Sequence, residues 1–346
     1  MDNAPVVTRD KILLENLVLV DGQAGCGKTL FTAIVAALGR VELLNYSPEL
    51  ENICALRYLG KIQDDAAEAM IQIQADLILY ETMMSRGTNF RPSDLSSTFR
   101  DVDFLTYVKR LFSKGDEVIL KRIKEEKPIL HFATHNLLAF SEPILKAMGK
   151  RVVLIEVVRH PIYMLIQQTL NQINLVAPAG AVRQFNIYIK YNDKQLPYWT
   201  SGQEELYLRS NPVERAIYEM QKLSELTESF KREFREDYGG QIVTIPFERF
   251  VFDPWPYMRR IEDLLATKMT SKTHKVMKKQ NVPRGRISDG IPLNIYKRCG
   301  WQPPEKGLNE QQELDKRRQY AIDQGANKEA MDVLDRICLE YKEKYI

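Results

Sequence analysis

The sequence predicts a doubly wound, mainly parallel α/β sheet, and three observations carry that prediction. Five short apolar runs, at 17–20, 41–44, 129–132, 152–158 and 241–245, suit buried parallel strands. Helical stretches separate them, the alternation from which α/β sheets are built. Between the first run and the helical run 30–38 stands Gly22-Gln23-Ala24-Gly25-Cys26-Gly27-Lys28-Thr29, which fits G-x-x-x-x-G-K-[ST] at every fixed position.

That stretch is read as a phosphate-binding loop in its required context of strand, glycine loop and helix. Glycines let the chain curl until successive N–H groups and the following helix N-terminus converge on one anion. Gly22, Gly25, Cys26, Gly27, Lys28 and Thr29 are therefore expected to hold a nucleotide phosphate. Lys28 adds a mobile positive charge, and the Thr29 hydroxyl can serve a phosphate or a magnesium ion.

Downstream of the loop, residues 62–84 read as a helix with an apolar face at Ala66, Met70, Ile73, Leu77, Tyr80 and Met84. It runs into a polar loop, 85–94, whose Arg86 and Arg91 are expected to touch an acceptor. Residues 184–202 alternate apolar and polar side chains and then reach Pro197-Tyr198-Trp199, a pattern read as an inserted hairpin. Its Tyr198 and Trp199 either stack on an acceptor or pack onto the body of the protein. One long helix is expected from 203 to 237, stopped by Gly239-Gly240. Beyond Pro292 the chain is basic, then helical, and Met331, Leu334, Cys338, Tyr341 and Tyr345 form an apolar stripe. The stripe docks on its own domain or forms the seam of a homodimer. The whole is expected as one domain, 1–346, with an aromatic-rich insertion near 177–212 and a helical C-terminal extension over 290–346.

Composition narrows the function classes. A hydrophobic content of 44%, 27% charged residues and a net charge of +3 describe a globular chain with no basic bias toward nucleic acid. The four cysteines, at 26, 54, 299 and 338, have neither zinc-ligand nor disulfide-framework spacing, so reduced thiols and a cytoplasmic setting are expected. No apolar run is long enough to cross a bilayer, and no secretory pattern opens the chain.

Two further strand ends carry chemistry: Ala133-Thr134-His135-Asn136 follows the third apolar run and Arg159-His160-Pro161 follows the fourth. With Ile245-Pro246-Phe247-Glu248-Arg249-Phe250-Val251-Phe252-Asp253-Pro254, these segments make the chain resemble the PAPS-dependent sulfotransferases of the P-loop fold. Members of that family carry K-T-H, R-x-P and Y-E-D-L-x-x-D-P at the corresponding places. The resemblance implies that His135 is the catalytic base and that Arg159 binds the 3′-phosphate of the donor, PAPS. It aligns Gln167 with the family's serine on the following helix, and Arg284-Gly285-Arg286 with its basic glycine loop. The chain departs from the pattern at Gly25, where the family's loop lysine would stand, and at Ala133, in place of the K-T-H lysine.

Two enzyme readings follow, with a third outside enzymology. In the first, the chain is a sulfotransferase acting on a hydroxyl, including that of a carbohydrate, with His135 and Lys28 as catalytic groups and no metal. In the second it is a kinase of a small molecule or glycan that uses Mg-ATP, Lys28 on the phosphates and Thr29 on magnesium, with Asp21 or Glu156 as further ligands. In the third it is a nucleotide-gated interaction module whose contact is the C-terminal stripe.

Overall fold

The computed structural model describes residues 5–94, 96–176, 185–287, 289–290 and 307–346. The segments 177–184 of the insertion and 291–306 of the C-terminal extension, with Pro292 and Cys299, lie outside the described residues. All five predicted sheet strands form: β1 (Asn16–Asp21), β2 (Val41–Asn45), β3 (Ile129–Ala133), β4 (Val152–Val158) and, after the hairpin strands β5 (Tyr188–Tyr191) and β6 (Lys194–Pro197), β7 (Ile242–Pro246).

The five-stranded sheet runs β2-β3-β1-β4-β7, and every pairing is parallel. Strand pleating splits each run between two cores. Val18, Val20, Ile155 and Val157 face one side with the helix Lys28–Val35, whereas Leu17, Leu19, Leu154 and Phe132 face the other with the helices Pro48–Tyr58 and Asp64–Met84. Burial on both faces is why these strands read as unbroken apolar runs. The order puts β1 between β3 and β4, so the C-terminal ends of three strands deliver the glycine loop, the Thr134-His135 segment and Arg159 to one edge.

Two expectations change and one pair of open readings is decided. The helix Asp64–Met84 forms, but Ala67, Ile71, Ala75, Leu79 and Met83 are its buried face, while Met70, Ile73 and Leu77 are exposed. The small side chains of Ala67 and Ala75 instead turn inward among neighbouring helices. The single helix expected over 203–237 is broken into Glu204–Arg209, Pro212–Glu233 and Arg235–Tyr238. Pro212 has no N–H to continue a helix, and Asn211 with Glu214 forms a capping box that starts a new one. The C-terminal stripe is intramolecular: Leu334 and Cys338 of the helix Lys328–Tyr345 are buried in one of the two cores, and Tyr341 is buried against Glu248. It is not available as the contact of an interaction module.

The insertion forms its hairpin, with Asn192 and Asp193 at positive φ in the two-residue turn. Trp199 anchors the segment by donating its indole N–H to Glu219 at 2.9 Å. Gln172 donates to the same carboxylate, and burial pushes the Glu219 carboxyl up to about 7.

His131 on β3 is fully buried, and neither ring nitrogen has a hydrogen-bond partner among the described residues. Burial holds its pKa down to about 3, from 6.5 in the unfolded chain, and His160 is depressed to about 4 for the same leading reason. Unfolding then takes up protons below pH 6.5, so stability is complete above that value and falls at about 1.4 kcal/mol per pH unit for each histidine, toward pH 3 for His131 and toward pH 4 for His160. His131→Leu is expected to lower the slope of unfolding free energy against pH, between pH 6 and 4, by about one proton. Urea titrations across that range read the slope; an unchanged value would mean that His131 is not held neutral.

Candidate functional site

The glycine loop connects the buried end of β1 to the helix Lys28–Val35, and its shape depends on residues without a Cβ. Gly22 has φ +147°, and a Cβ there would lie 2.3 Å from the Val157 carbonyl oxygen. Gly27 has φ +103° and caps the helix, where a Cβ would lie 2.3 Å from the ring of Phe247. Carbonyl groups of the loop are tied outward: Ala24 accepts from Gln168 Nε2 at 3.1 Å and Gly25 from Arg159 at 3.1 Å. Lys28 reaches back across the loop, donating to the carbonyls of Gly22, at 2.6 Å, and Thr134. Thr29 stands half-buried in the first helical turn. The Cys26 thiol is buried, and that burial pushes it up to about 11; Cys26 contributes backbone here, not a reactive sulfur.

Both carboxylates considered for a metal are engaged in the fold. Asp21 at the end of β1 accepts from Thr134 Oγ1 and from the Leu138 backbone N–H, each at 2.8 Å on a different oxygen. Glu156 in β4 pairs with Lys231 at 2.9 Å and accepts from Thr244 Oγ1 at 2.7 Å. These are structural ties between strand ends. A magnesium ion would have to displace these partners, of which Thr134 and Leu138 are buried, so the donor set fits the ion poorly.

Beside the loop lies a cationic aromatic stack. The Arg159 guanidinium sits 4.4 Å from the ring centroid of Phe247 and 5.0 Å from that of Tyr163. Arg284 approaches the same Phe247 ring at 5.4 Å, and Arg317 approaches Tyr163 at 5.2 Å. Burial lowers the Arg159 pKa, opposed by Glu248 and assisted by Arg317, and its Nε is buried with no partner among the described residues. Gln167 lies against Gly25, its Oε1 3.4 Å from where a Cβ would stand. Arg286 is directed elsewhere, donating to the Leu308 carbonyl at 2.8 Å.

His135 leaves the end of β3 with its side chain 60% exposed. Glu51 holds it in place, accepting the His135 backbone N–H at 3.0 Å and meeting Nδ1 at 3.3 Å. Tyr46 stacks on the imidazole at 6.0 Å. A carboxylate on Nδ1 leaves Nε2 as the outward nitrogen, the arrangement of an oriented base.

The expected acceptor residues do not gather here. Tyr198 and Trp199 are buried and pack on Phe140, Tyr58 and Glu219, so stacking against an acceptor is corrected to packing on the body. Arg91 pairs with Asp94 at 3.7 Å within its own loop, and Arg86 follows Ser85, which donates to the Tyr107 carbonyl at 2.7 Å. Tyr107 in turn donates to Glu42 near the start of β2, away from the strand ends that carry the loop. Sequence reasoning missed Glu51, Tyr163, Gln168 and Arg317, which lie in helices without a local motif to mark them.

No protein-family model matches the chain, and no curated protein matches it. In structure it is similar to a sulfotransferase from Mycobacterium avium, with a TM-score of 0.42 and 14% identity over 97% of this chain and 78% of that one. It is also similar to the sulfotransferase domain from the curacin biosynthetic pathway, with a TM-score of 0.40 and 10% identity over 89% of this chain and 98% of that one. A third likeness is to the sulfotransferase domain of the Synechococcus PCC 7002 olefin synthase, with a TM-score of 0.38 and 12% identity, covering 92% and 98%. Among the described residues no helix is long and apolar enough to cross a membrane.

Gly27→Ala is expected to destabilise the protein by about 3 kcal/mol, because a methyl group at positive φ is driven into the Phe247 ring. Urea unfolding measures the loss. A midpoint equal to that of the parent protein would show that loop and ring are not in contact.

Proposed function

We propose that this protein is a sulfotransferase that moves a sulfuryl group from PAPS to an acceptor hydroxyl. One observation carries the reading: the Arg159 guanidinium, stacked on Phe247 and Tyr163 and with an Nε that has no partner among the described residues, is placed to serve as a second anion seat beside the glycine loop. A donor with phosphates at both the 5′ and 3′ positions needs two such seats, whereas ATP needs one extended seat and a metal.

In this reading the loop N–H groups and the helix N-terminus hold the 5′-phosphosulfate, which supplies an activated sulfuryl group. Lys28, released from the Gly22 and Thr134 carbonyls, neutralises charge that builds on the leaving phosphate. Arg159 with Arg284 holds the 3′-phosphate. His135, oriented by Glu51, takes the proton of the acceptor hydroxyl while that oxygen bonds to sulfur and the phosphosulfate S–O bond breaks. Adenosine 3′,5′-bisphosphate leaves with the bonding pair.

The Lys28-Thr29 pair favours a second reading, a kinase using Mg-ATP. Asp21 and Glu156, its candidate metal carboxylates, are committed to Thr134, Leu138, Lys231 and Thr244.

Thermal stabilisation separates the two, because a ligand that binds only the folded state raises stability by mass action. Adenosine 3′,5′-bisphosphate is expected to raise Tm without metal; stabilisation by Mg-ATP alone would overturn the sulfotransfer reading. Arg159→Ala is expected to weaken adenosine 3′,5′-bisphosphate at least tenfold more than ADP, a difference of about 1.4 kcal/mol. Equal losses would remove Arg159 from the 3′-phosphate. His135→Ala is expected to abolish transfer, read with radiolabelled PAPS, while leaving bisphosphate affinity within about twofold.

A further inference from the structure

The helix Phe104–Leu111 reverses the usual arrangement of a surface helix, because its polar residues hold it to the body and its apolar residues face out. Arg110 and Glu42 of β2 are both buried and form a two-pronged ion pair at 2.6 and 3.0 Å. Tyr107 donates to the same carboxylate at 2.9 Å and accepts the Leu43 backbone N–H at 2.6 Å. With that face committed, Phe104, Leu105 and Leu111 are exposed, as is Phe112 at the helix end. At 3.6 residues per turn these four share an arc of about 120°.

A ladder of rings extends the arc. Phe99 stands 6.4 Å from Phe104 and 5.8 Å from Phe90, centroid to centroid. Phe112 is 86% exposed, Leu105 58% and Phe99 53%. Single apolar side chains are ordinary on a surface, whereas a contiguous patch of them marks a contact site.

The charge around the patch selects what makes the contact. Residues 97–127 carry eight Lys and Arg against six Asp and Glu, and most of the carboxylates are engaged. Asp103 pairs with Lys272, Asp116 accepts from Tyr80, Glu125 pairs with Lys121, and Glu126 with Arg110 and Arg122. Asp101 accepts the Asp103 backbone N–H, which leaves Glu117. Arg100, Lys109 and Lys114 are exposed and form no ion pair among the described residues. A second copy of the chain would bring this basic rim against itself across a two-fold axis. A negatively charged bilayer satisfies both parts, taking rings and leucines into the acyl boundary while the long basic side chains reach the headgroup phosphates.

We infer that the patch centred on Phe112 is a docking surface for an anionic membrane, which the protein meets without crossing. The inference is independent of the sulfotransfer reading. Glu42 stands near the start of β2, and Lys272 follows Thr270, which donates to the Ala37 carbonyl beyond the far end of the helix that begins at Lys28. The patch therefore lies toward the end of the sheet opposite the glycine loop, and lipid contact leaves the loop open to water.

Vesicle co-sedimentation of the full chain tests the surface, with phosphatidylcholine alone or with about one-third phosphatidylserine. The parent protein is expected to bind the mixed vesicles about tenfold more tightly than the neutral ones, and to be released as salt is raised. Phe112→Ser is expected to weaken binding to mixed vesicles by about tenfold, and Leu105→Ser combined with Phe112→Ser to remove it. Lys109→Glu combined with Lys114→Glu should abolish the preference for phosphatidylserine. All four positions are exposed, so the urea midpoints of these variants should match that of the parent. Absence of binding to mixed vesicles, equal binding of the parent to neutral ones, full binding by the Leu105 and Phe112 double variant, or a phosphatidylserine preference that survives both lysine substitutions overturns the inference. A parent dimer in sedimentation equilibrium that Phe112→Ser dissociates overturns it as well, since the face would then serve a second copy.

Discussion

The contact between Gly27 and the ring of Phe247 is the constraint on which the rest of the site depends. Because the loop passes within reach of that ring, the end of β7 is locked to the end of β1 across the intervening β4. The ring then serves as a platform for two guanidinium groups, Arg159 at 4.4 Å and Arg284 at 5.4 Å. Stacked cations of this kind keep their charge while losing water, because the ring's electron density replaces part of the lost hydration. Glycine loop and stacked guanidinium groups thus meet on one ring. Their separation is set by aromatic packing, not by flexible side chains.

That body is braced from behind. Glu248, next to Phe247, is buried, accepts the backbone N–H of His160 at 3.1 Å and is hydrogen-bonded by Tyr341 of the C-terminal helix. Burial raises its pKa, with Arg159 acting in the opposite sense. The same C-terminal helix receives Arg249 at its last carbonyls, 2.6 Å at Tyr345 and 2.5 Å at Ile346, a favourable place for a cation. The end of the chain therefore closes on the segment that carries the phosphate-loop contact. An apolar stripe that looks like an interface in isolation is, in this fold, a structural wall of the site.

Much of this was legible in the residues, for definite reasons. Strands buried on both faces announce themselves by composition, and the loop by its glycines, so all five sheet strands and the loaded ends of the first, third and fourth could be anticipated. The helix Asp64–Met84 shows where such reading runs out. Its apolar residues occur all round the cylinder, and which face turns inward is decided by the small side chains that let neighbouring helices approach, a property of the partners and not of the segment. Partner choice in three dimensions hid Glu51 and Arg317 as well. Glu51 is 84 residues from the His135 it orients, and Arg317 comes to Tyr163 from a helix beyond the basic segment. The Tyr198-Trp199 pair offered two uses, and the buried Glu219 carboxylate, by accepting the indole N–H, decided for packing.

On the sulfotransfer reading, the position of the loop lysine bears on the donor. Lys28 begins the helix and folds over the mouth of the loop onto the carbonyls of Gly22 and Thr134. Its charge is thereby held between the end of β1 and the end of β3, next to the His135 segment. A lysine at the place of Gly25 would instead meet Met164 and Gln167, on the side of the loop where Arg159 already stands. Two cations so close, with burial already lowering the Arg159 pKa, would repel one another across a low-dielectric gap. Moving the lysine to position 28 spreads the positive charge over both flanks of the loop, Arg159 on one and Lys28 on the other. That distribution matches an anion with charge at two separated points. A single lysine beside a metal-binding carboxylate requires an uncommitted Asp21, and here Asp21 ties β1 to the His135 loop.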